Sequence, residues 1–296
     1  MKPPPFAYHA PATVAEALEL LARLENARIL AGGQSLMPML NMRFVLPDHL
    51  IDINGIVDLA YIRREGDWLE IGAMTRQRDL EFSDELRKSC PLLVEAILNV
   101  GHRQTRNRGT LGGSLCHLDP AAEMPSVAAV YDAEIMIAGP KGRRSMPFAE
   151  FAQGYMTPAL EPDEMLVALR YPLWPAQSGY SFVEYARRHG DFAIASAAVL
   201  METDSGGRIA RASLALGGVG AVPVRLSEAI EMLEGQKGSP SLFEAAARAA
   251  RSIDAMEDAL ITADYRRHLA GVLLKRALLS AYGRAIGGPT PGILAA

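Results

Sequence analysis

The sequence predicts an α+β protein built in at least two parts. In the first part, predicted helices and short strands alternate and are separated by glycine-rich turns. In the second part, long strands come first and helices follow, an order that favours an α+β domain. The length of 296 residues allows one large domain or two to three smaller ones. A boundary is predicted near residues 172–179, which contain two prolines and end in glycine.

The first part begins with a predicted helix over residues 13–25. Thr13 can cap it, and Glu16 three residues later completes a capping box. Apolar residues recur on one helical face at Val14, Ala17, Leu18, Leu21 and Leu24. The other predicted elements of this part are strands at residues 27–30, 50–53, 68–73, 133–138 and 165–171, and a helix at residues 84–100 with Pro91 early or at a break.

The second part is predicted to contain three strands and three helices. The strands cover residues 180–187, 193–203 and 208–217, and residues 204–207 form a hairpin turn. The helices cover residues 226–233, 242–253 and 264–282. The predicted domains are therefore residues 1–175, with subdomains of about 1–60 and 61–175, residues 176–284, and a tail at 285–296.

Composition excludes several classes of protein. Hydrophobic residues make up 49% and charged residues 22%, as in a soluble globular protein. A net charge of −4 without a long basic run gives nucleic acid binding little support. No secretory signal and no transmembrane segment is predicted. The two cysteines, Cys90 and Cys116, are too few for an iron–sulfur or zinc site; a disulfide stays open, although a reduced cytoplasmic protein is simpler.

Two glycine pairs about eighty residues apart are the main functional signal. Gly32 and Gly33 lie in residues 31–36, AGGQSL, and Gly112 and Gly113 lie in residues 110–114, TLGGS. Glycine lets the backbone approach a ligand closely and allows positive φ, so that consecutive N–H groups can point at one anion. Two such loops could clamp a diphosphate, which predicts a dinucleotide cofactor without a Rossmann fingerprint. The alternative is that each pair is only a turn or a strand end.

Charged residues near the second glycine pair are further candidates. Three arginines precede it: Arg103, Arg106 and Arg108. Each could compensate a diphosphate charge, bind an acidic partner, or lie in a solvated basic loop. Asp119 and Glu123 follow the pair and would repel phosphate, so they suit hydrogen bonds from sugar or ribityl hydroxyls. For Asp119, a turn before Pro120 is the alternative.

Together these motifs resemble the FAD-binding medium subunits of the molybdenum hydroxylases, which include aerobic carbon monoxide dehydrogenase and the xanthine dehydrogenase-like enzymes. The resemblance rests on residues 31–35, 106–114, 119–120 and 187–193, and extends to about residue 282. It implies the two-subdomain FAD-binding fold shared with vanillyl-alcohol oxidase and p-cresol methylhydroxylase. An α+β C-terminal flavoprotein domain would follow.

The resemblance also implies which residues contact FAD. In the two glycine segments these are Ala31, Gly32, Gly33, Gln34, Ser35, Leu36, Thr110, Gly112, Gly113 and Ser114. Glu123 would reach the ribityl region, Leu166 would make a backbone contact, and the strand with Phe182 and Glu184 would lie beside the flavin ring. Glu184 stands at or near a usual Lys, and it faces either the ring or solvent because strand residues alternate.

The function implied is electron transfer within a heterotrimer. Substrate would be oxidised at a molybdenum cofactor on a large partner, and electrons would pass through [2Fe–2S] clusters on a small partner to FAD on this chain and then to an acceptor. A dimer of heterotrimers, in the cytoplasm or at the inner face of the membrane, is the expected assembly. The alternatives are a stand-alone FAD-dependent oxidoreductase of the same fold and a scaffold subunit that has lost its flavin.

Overall fold

The computed structural model describes residues 1–288, and within these the chain divides into two compact units. Unit 1 comprises residues 1–83, 102–118 and 133–171, and unit 2 comprises residues 84–101, 119–132 and those from 172 onward. Residues 289–296 of the predicted tail lie outside the described residues. The domain boundaries predicted from the sequence stay predictions.

Unit 1 contains three sheets and six helices among the described residues. Its strands are β1 (Ala7–His9), β2 (Ala27–Leu30), β3 (His49–Asp52), β4 (Ile62–Glu65), β5 (Trp68–Gly72), β6 (Glu134–Gly139), β7 (Gly142–Pro147), β8 (Ala152–Gly154), β9 (Thr157–Pro158) and β10 (Met165–Pro172). Its helices are α1 (Val14–Arg23), α2 (Leu36–Asn41), α3 (Gln77–Phe82), α6 (Arg103–Arg108), α7 (Leu111–His117) and α9 (Phe148–Phe151).

A small parallel sheet in the order β1-β3-β2 opens unit 1, and a five-stranded sheet has the order β4-β5-β10-β6-β7. The predicted helix over residues 13–25 is confirmed as α1, and Thr13 Oγ1 accepts a hydrogen bond of 3.2 Å from the Glu16 N–H. Because α1 is amphipathic, its buried residues Ala17 and Leu21 pack in one core with Ile51 of β3.

Unit 2 is a four-stranded antiparallel sheet with helices on both faces. Its elements are α4 (Asp84–Ser89), α5 (Pro91–Ile97), α8 (Glu123–Tyr131), β11 (Gly179–Tyr185), β12 (Ala195–Thr203), β13 (Ile209–Gly217), β14 (Val224–Arg225), α10 (Ser227–Leu233), α11 (Pro240–Ala247) and α12 (Ala263–Ala285). The strands follow the order β11-β12-β13-β14. Helices α10, α11 and α12 cover one face through an apolar core, and Ser213 Oγ donates to Val130 O of α8 on the other face at 2.7 Å.

Three helical predictions are refined by the structure. Residues 84–100, predicted as a helix with Pro91 early or at a break, form two helices that break at Cys90, because Pro91 has no N–H for an interior hydrogen bond and instead starts α5. The polar approach to the second glycine pair is the helix α6, and the pair itself lies in the first turn of α7 instead of a loop. Helix α11 ends at Ala247, where a 3₁₀ turn takes over.

No helix within residues 1–288 combines the length and the apolar character that a membrane span requires.

Candidate functional site

The first glycine pair lies between β2 and α2, at the carboxyl edge of the parallel sheet. Gly33 has a φ of 72°, in the left-handed region that glycine adopts without strain. Gly32 lies against another backbone segment, because a Cβ built on it would be 2.3 Å from Arg108 O and 2.8 Å from Gly109 Cα. The pair therefore makes both a turn and a backbone contact that a side chain would prevent.

The second glycine pair serves a different purpose. Thr110 caps α7 by accepting a hydrogen bond of 3.1 Å from the Gly113 N–H. Gly112 packs on Ala73: its N–H donates to Ala73 O at 2.9 Å, and a Cβ on Gly112 would be 2.7 Å from Ala73 Cβ. The expectation that positive φ explains this pair is wrong, since both glycines have helical backbone.

The first glycine segment and Arg108, which lies two residues before the second, line one cavity of about 530 Å³. A Cβ on Gly113 would be 3.8 Å from Ala31 Cβ, so the segments are in van der Waals reach. The residues that line the cavity are Leu30, Ala31, Gly32, Gly33, Gln34, Met37, Pro38, Asn41, Asp52, Asn54 and Arg108. Ser35 occupies the position before the first residue of α2 and Leu36 begins the helix, and neither is among these lining residues.

Sequence reasoning did not select Asp52 and Asn54 as site residues. Asp52 is the last residue of β3 and Asn54 follows it; because β3 pairs in parallel with β2, both side chains lie at the edge where β2 leads into Gly32. Ligands bind at the carboxyl ends of parallel strands, so an Asp and an Asn at the end of the strand predicted over residues 50–53 could have indicated them.

The charged groups around the cavity are held by defined partners. Asp52 accepts hydrogen bonds from Tyr8 Oη at 2.6 Å and Asn54 Nδ2 at 2.5 Å. Burial alone would raise the pKa of Asp52, but these bonds and the nearby Arg108 lower it. Arg106 is buried in an ion pair with Glu81 at 2.9 Å, so of the three candidate arginines only Arg108 lines the cavity.

Leu166 lies on β10 and is almost fully buried. A bulge separates it from Ala168, and the intervening Val167 O accepts a hydrogen bond of 2.9 Å from Ala73 N–H. Ala73 O in turn accepts a hydrogen bond from Gly112 N–H. Leu166 is therefore the neighbour of Val167, the β10 residue that Ala73 connects to the second glycine pair.

In unit 2, Glu184 lies in a polar row across the sheet. Glu184 pairs with Ser196, which pairs with Gly217, so their side-chain directions share one face. Helix α8 covers this face, because a Cβ on Gly217 would be 2.3 Å from Ser126 Oγ. The solvent-facing alternative for Glu184 is therefore wrong.

The environment of Glu184 is unfavourable for a carboxylate. Within residues 1–288 its Oε2 atom is buried without a hydrogen-bond partner, as is Ser126 Oγ. Burial, and secondarily the charge of Glu123, raises the pKa of Glu184 to about 8.

The remaining predicted residues of unit 2 have structural partners. Phe182 is buried, and its N–H donates to Glu95 Oε1 at 2.8 Å, while Glu95 Oε2 pairs with Arg284 at 2.6 Å. Asp119 Oδ1 accepts from Ala121 N–H at 2.9 Å, which is the turn that the sequence left open as its alternative role.

The fold and the glycine-lined cavity define a class of flavoprotein. Residues 4–174 match the family model described as FAD binding domain in molybdopterin dehydrogenase, and residues 180–281 match the CO dehydrogenase flavoprotein C-terminal domain. The chain belongs to this family of FAD-binding subunits of molybdenum-containing dehydrogenases.

Individual relatives cover nearly the whole chain. The carbon monoxide dehydrogenase medium chain of Hydrogenophaga pseudoflava is 40% identical over 96% of this chain and 99% of its own length. The 6-hydroxypseudooxynicotine dehydrogenase complex subunit alpha of Paenarthrobacter nicotinovorans is 38% identical over 96% and 97%.

A solved structure supports the same conclusion. A chain of the Hydrogenophaga pseudoflava carbon monoxide dehydrogenase matches with a TM-score of 0.93 and 41% identity, covering 96% of this chain and 99% of that one. The predicted α+β fold and the predicted family are therefore confirmed. The stand-alone oxidoreductase is not favoured, because the relatives are subunits of larger complexes.

Proposed function

We propose that this chain holds FAD with the diphosphate in the cavity of unit 1 and transfers electrons as the medium subunit of a molybdenum hydroxylase. The observation that carries the proposal is the close packing of Gly32 against Arg108 O beside the cavity, which brings the first glycine segment against the backbone that leads into the second. Backbone close to a ligand and free of side chains is what a diphosphate needs in order to reach main-chain N–H groups.

The residues of this cavity have distinct proposed roles. Residues 31–34 offer backbone N–H groups to the diphosphate, and Arg108 opposes its negative charge. Asp52 also lines the cavity as a carboxylate and can accept hydrogen bonds from ribose hydroxyls. Bound FAD supplies the electron-accepting chemistry, while the protein binds and orients it. The contacts predicted for Ser35, Leu36, Thr110, Gly112, Gly113, Ser114, Leu166, Glu123, Phe182 and Glu184 stay predictions from the sequence.

The partners are proposed from the family. The relatives' names assign them to multi-component dehydrogenases, including one described as a complex. We expect this chain to bind a large molybdenum subunit and a small iron–sulfur subunit, as a dimer of heterotrimers in the cytoplasm or at the inner membrane face. Two relatives of similar identity bear the names of different substrates, so overall identity does not select a substrate.

The test is flavin binding by the purified full-length chain. We expect one FAD per chain, measured from the flavin absorbance, and complete release of the flavin into the supernatant on acid precipitation, since binding is expected to be noncovalent. Iron and molybdenum should be absent until the partners are co-expressed. A chain that binds no flavin, alone or with partners co-expressed, would overturn the proposal.

A further inference from the structure

Two side chains outside the glycine segments connect them. Asn54 Nδ2 donates to Ala31 O at 2.8 Å, just before Gly32. Asn54 Oδ1 accepts from Arg76 Nη2 at 2.5 Å, and Arg76 Nη1 donates to Arg108 O at 2.5 Å. One continuous chain of hydrogen bonds therefore runs from the carbonyl before the first glycine pair to the carbonyl that Gly32 contacts.

The bridge acts at the closest contact of the two segments. A Cβ built on Gly32 would lie 2.3 Å from Arg108 O, so the two backbones are close at this point, and the bridge links them there. Asn54 is fixed in turn, because its N–H and its Nδ2 both donate to Asp52 Oδ1 at 2.9 and 2.5 Å. Each atom of the bridge thus has a defined partner.

Arg76 does not itself line the cavity, whereas Asn54 and Arg108 do. Arg76 immediately precedes α3, and it pairs across an isolated β-bridge with Thr110, which caps α7. Its guanidinium is half-buried, where a fork of two N–H donors can serve two acceptors in fixed directions. A lysine has one ammonium group and cannot reproduce this geometry.

We infer that Arg76 and Asn54 are positioning residues that hold the two glycine segments at the separation required for the FAD diphosphate. This inference rests on the proposed function, because it assigns FAD to the cavity. Arg76 acts through the carbonyls of Asn54 and Arg108 and needs no contact with FAD. Loss of either residue should let the segments separate and weaken binding, although every glycine remains.

The experiment measures the Kd for FAD with the full-length chain stripped of flavin and titrated with FAD. Arg76→Lys keeps the charge and should raise Kd about tenfold, the effect of losing one charge-assisted hydrogen bond. Asn54→Ala should raise Kd by a similar factor. The Kd of the double variant should not exceed the higher of the two single-variant Kd values, because each substitution already breaks the same bridge.

The control is Arg63→Lys on β4, whose guanidinium pairs with Glu65 and Glu70 and lies outside the cavity lining. It should leave Kd within twofold of wild type. The melting temperature of each stripped variant shows whether it folds; should Arg76→Lys not fold, Asn54→Ala alone decides by the same tenfold criterion.

The outcomes separate the two claims. If the wild-type chain binds FAD and Arg76→Lys or Asn54→Ala binds equally well, the positioning role is wrong and the proposed function stands. The positioning role would also be wrong if the double variant raised Kd by the product of the two single-variant factors, since two independent structural roles would give that result. If the wild-type chain binds no FAD, the proposed function is the claim that fails.

Discussion

Charged side chains at the cavity of unit 1 and in the polar row of unit 2 differ in whether they have hydrogen-bond partners. Around the cavity, Asp52 and Arg76 each have partners at hydrogen-bond distance. In the polar row, Glu184 Oε2 is buried without a hydrogen-bond partner among residues 1–288, and so is Ser126 Oγ of α8, the helix that covers the row. The first region is preorganised, while the second carries an unfavourable burial that depends on pH.

The difference shows which perturbations each region tolerates. Near the cavity, backbone segments and side chains already make their contacts, so adding atoms should do more harm than changing pH. In the polar row, protonation itself relieves the burial of the Glu184 charge, so pH should dominate there. Single substitutions in each region can test this contrast.

The largest effect is expected for Glu184→Gln at alkaline pH. The folded-state pKa of about 8 is higher than the value of 4.5 for an unperturbed Glu. The unfolded state therefore loses its proton first, and stability falls as pH rises between these two values. The fall amounts to on the order of 4 kcal/mol. In Glu184→Gln this slope should disappear, as measured by denaturant unfolding at pH 5, 7 and 9.

The matched control is Glu228→Gln, the same substitution at an exposed position of α10 in unit 2. It should leave the pH dependence as in wild type. An unchanged slope in Glu184→Gln would mean that the carboxylate is solvated, and the contrast between the two regions would then be lost.

The second effect is expected for Gly32→Ala. The new Cβ would be 2.3 Å from Arg108 O, so one of the two backbone segments must move. Such overpacking should lower the free energy of unfolding by about 3 kcal/mol and reduce FAD binding. Gly154→Ala is the control, because a Cβ there meets no atom within 4 Å and its φ is not left-handed; it should change stability by about 0.5 kcal/mol or less. Equal effects at the two positions would show that the close contact has no energetic weight.

The sequence predicted those helices and strands whose hydrophobic period or capping residue lies within or directly beside the element. Helix α1 has a Thr13 cap and one apolar face, and strand β12 was found within two residues of its limits at 195–203. Helix α8 was missed because every one of its residues is buried, so it has no polar face to give a helical period. Helix α7 was missed because Gly112 and Gly113 have low helix propensity, and tertiary packing on Ala73 overrides it.

Only those site residues that belong to a short sequence motif could be predicted from the sequence. Gly32 and Gly33 stood out as a pair and do line the cavity. The bridge through Asn54 and Arg76 depends on the parallel pairing of β2 with β3 and on a contact between residues 32 positions apart. Asn54 could be indicated by its place after a predicted strand, but its pairing with Arg76, and that of Arg76 with Arg108, leave no mark in the local sequence.

The third prediction compares two glycines with positive φ. Gly33 has a φ of 72° and Gly66 a φ of 59°, so an alanine at either position should lower stability by about 1 to 2 kcal/mol. A Cβ on Gly33 would meet only side-chain atoms, at 3.2 Å or more, so backbone strain dominates there too. Only Gly33 lines the cavity, and only Gly33→Ala should weaken FAD binding in a titration. Equal FAD affinity in both variants would show that Gly33 of the first glycine pair does not contribute to FAD binding.

The smallest effect is expected for Thr110→Ala, which removes the cap of α7. Thr13→Ala removes the same kind of cap from α1, since each hydroxyl accepts one N–H three residues later, at 3.1 Å in α7 and 3.2 Å in α1. Each variant should lose about 1 kcal/mol of unfolding free energy. Thr110 directly precedes the second glycine pair, so its variant should also release FAD faster, as followed by flavin fluorescence, whereas the α1 variant should not. Identical release rates would limit the preorganised region to the first glycine pair and the bridge, because the start of α7 would then make no contribution to holding the flavin.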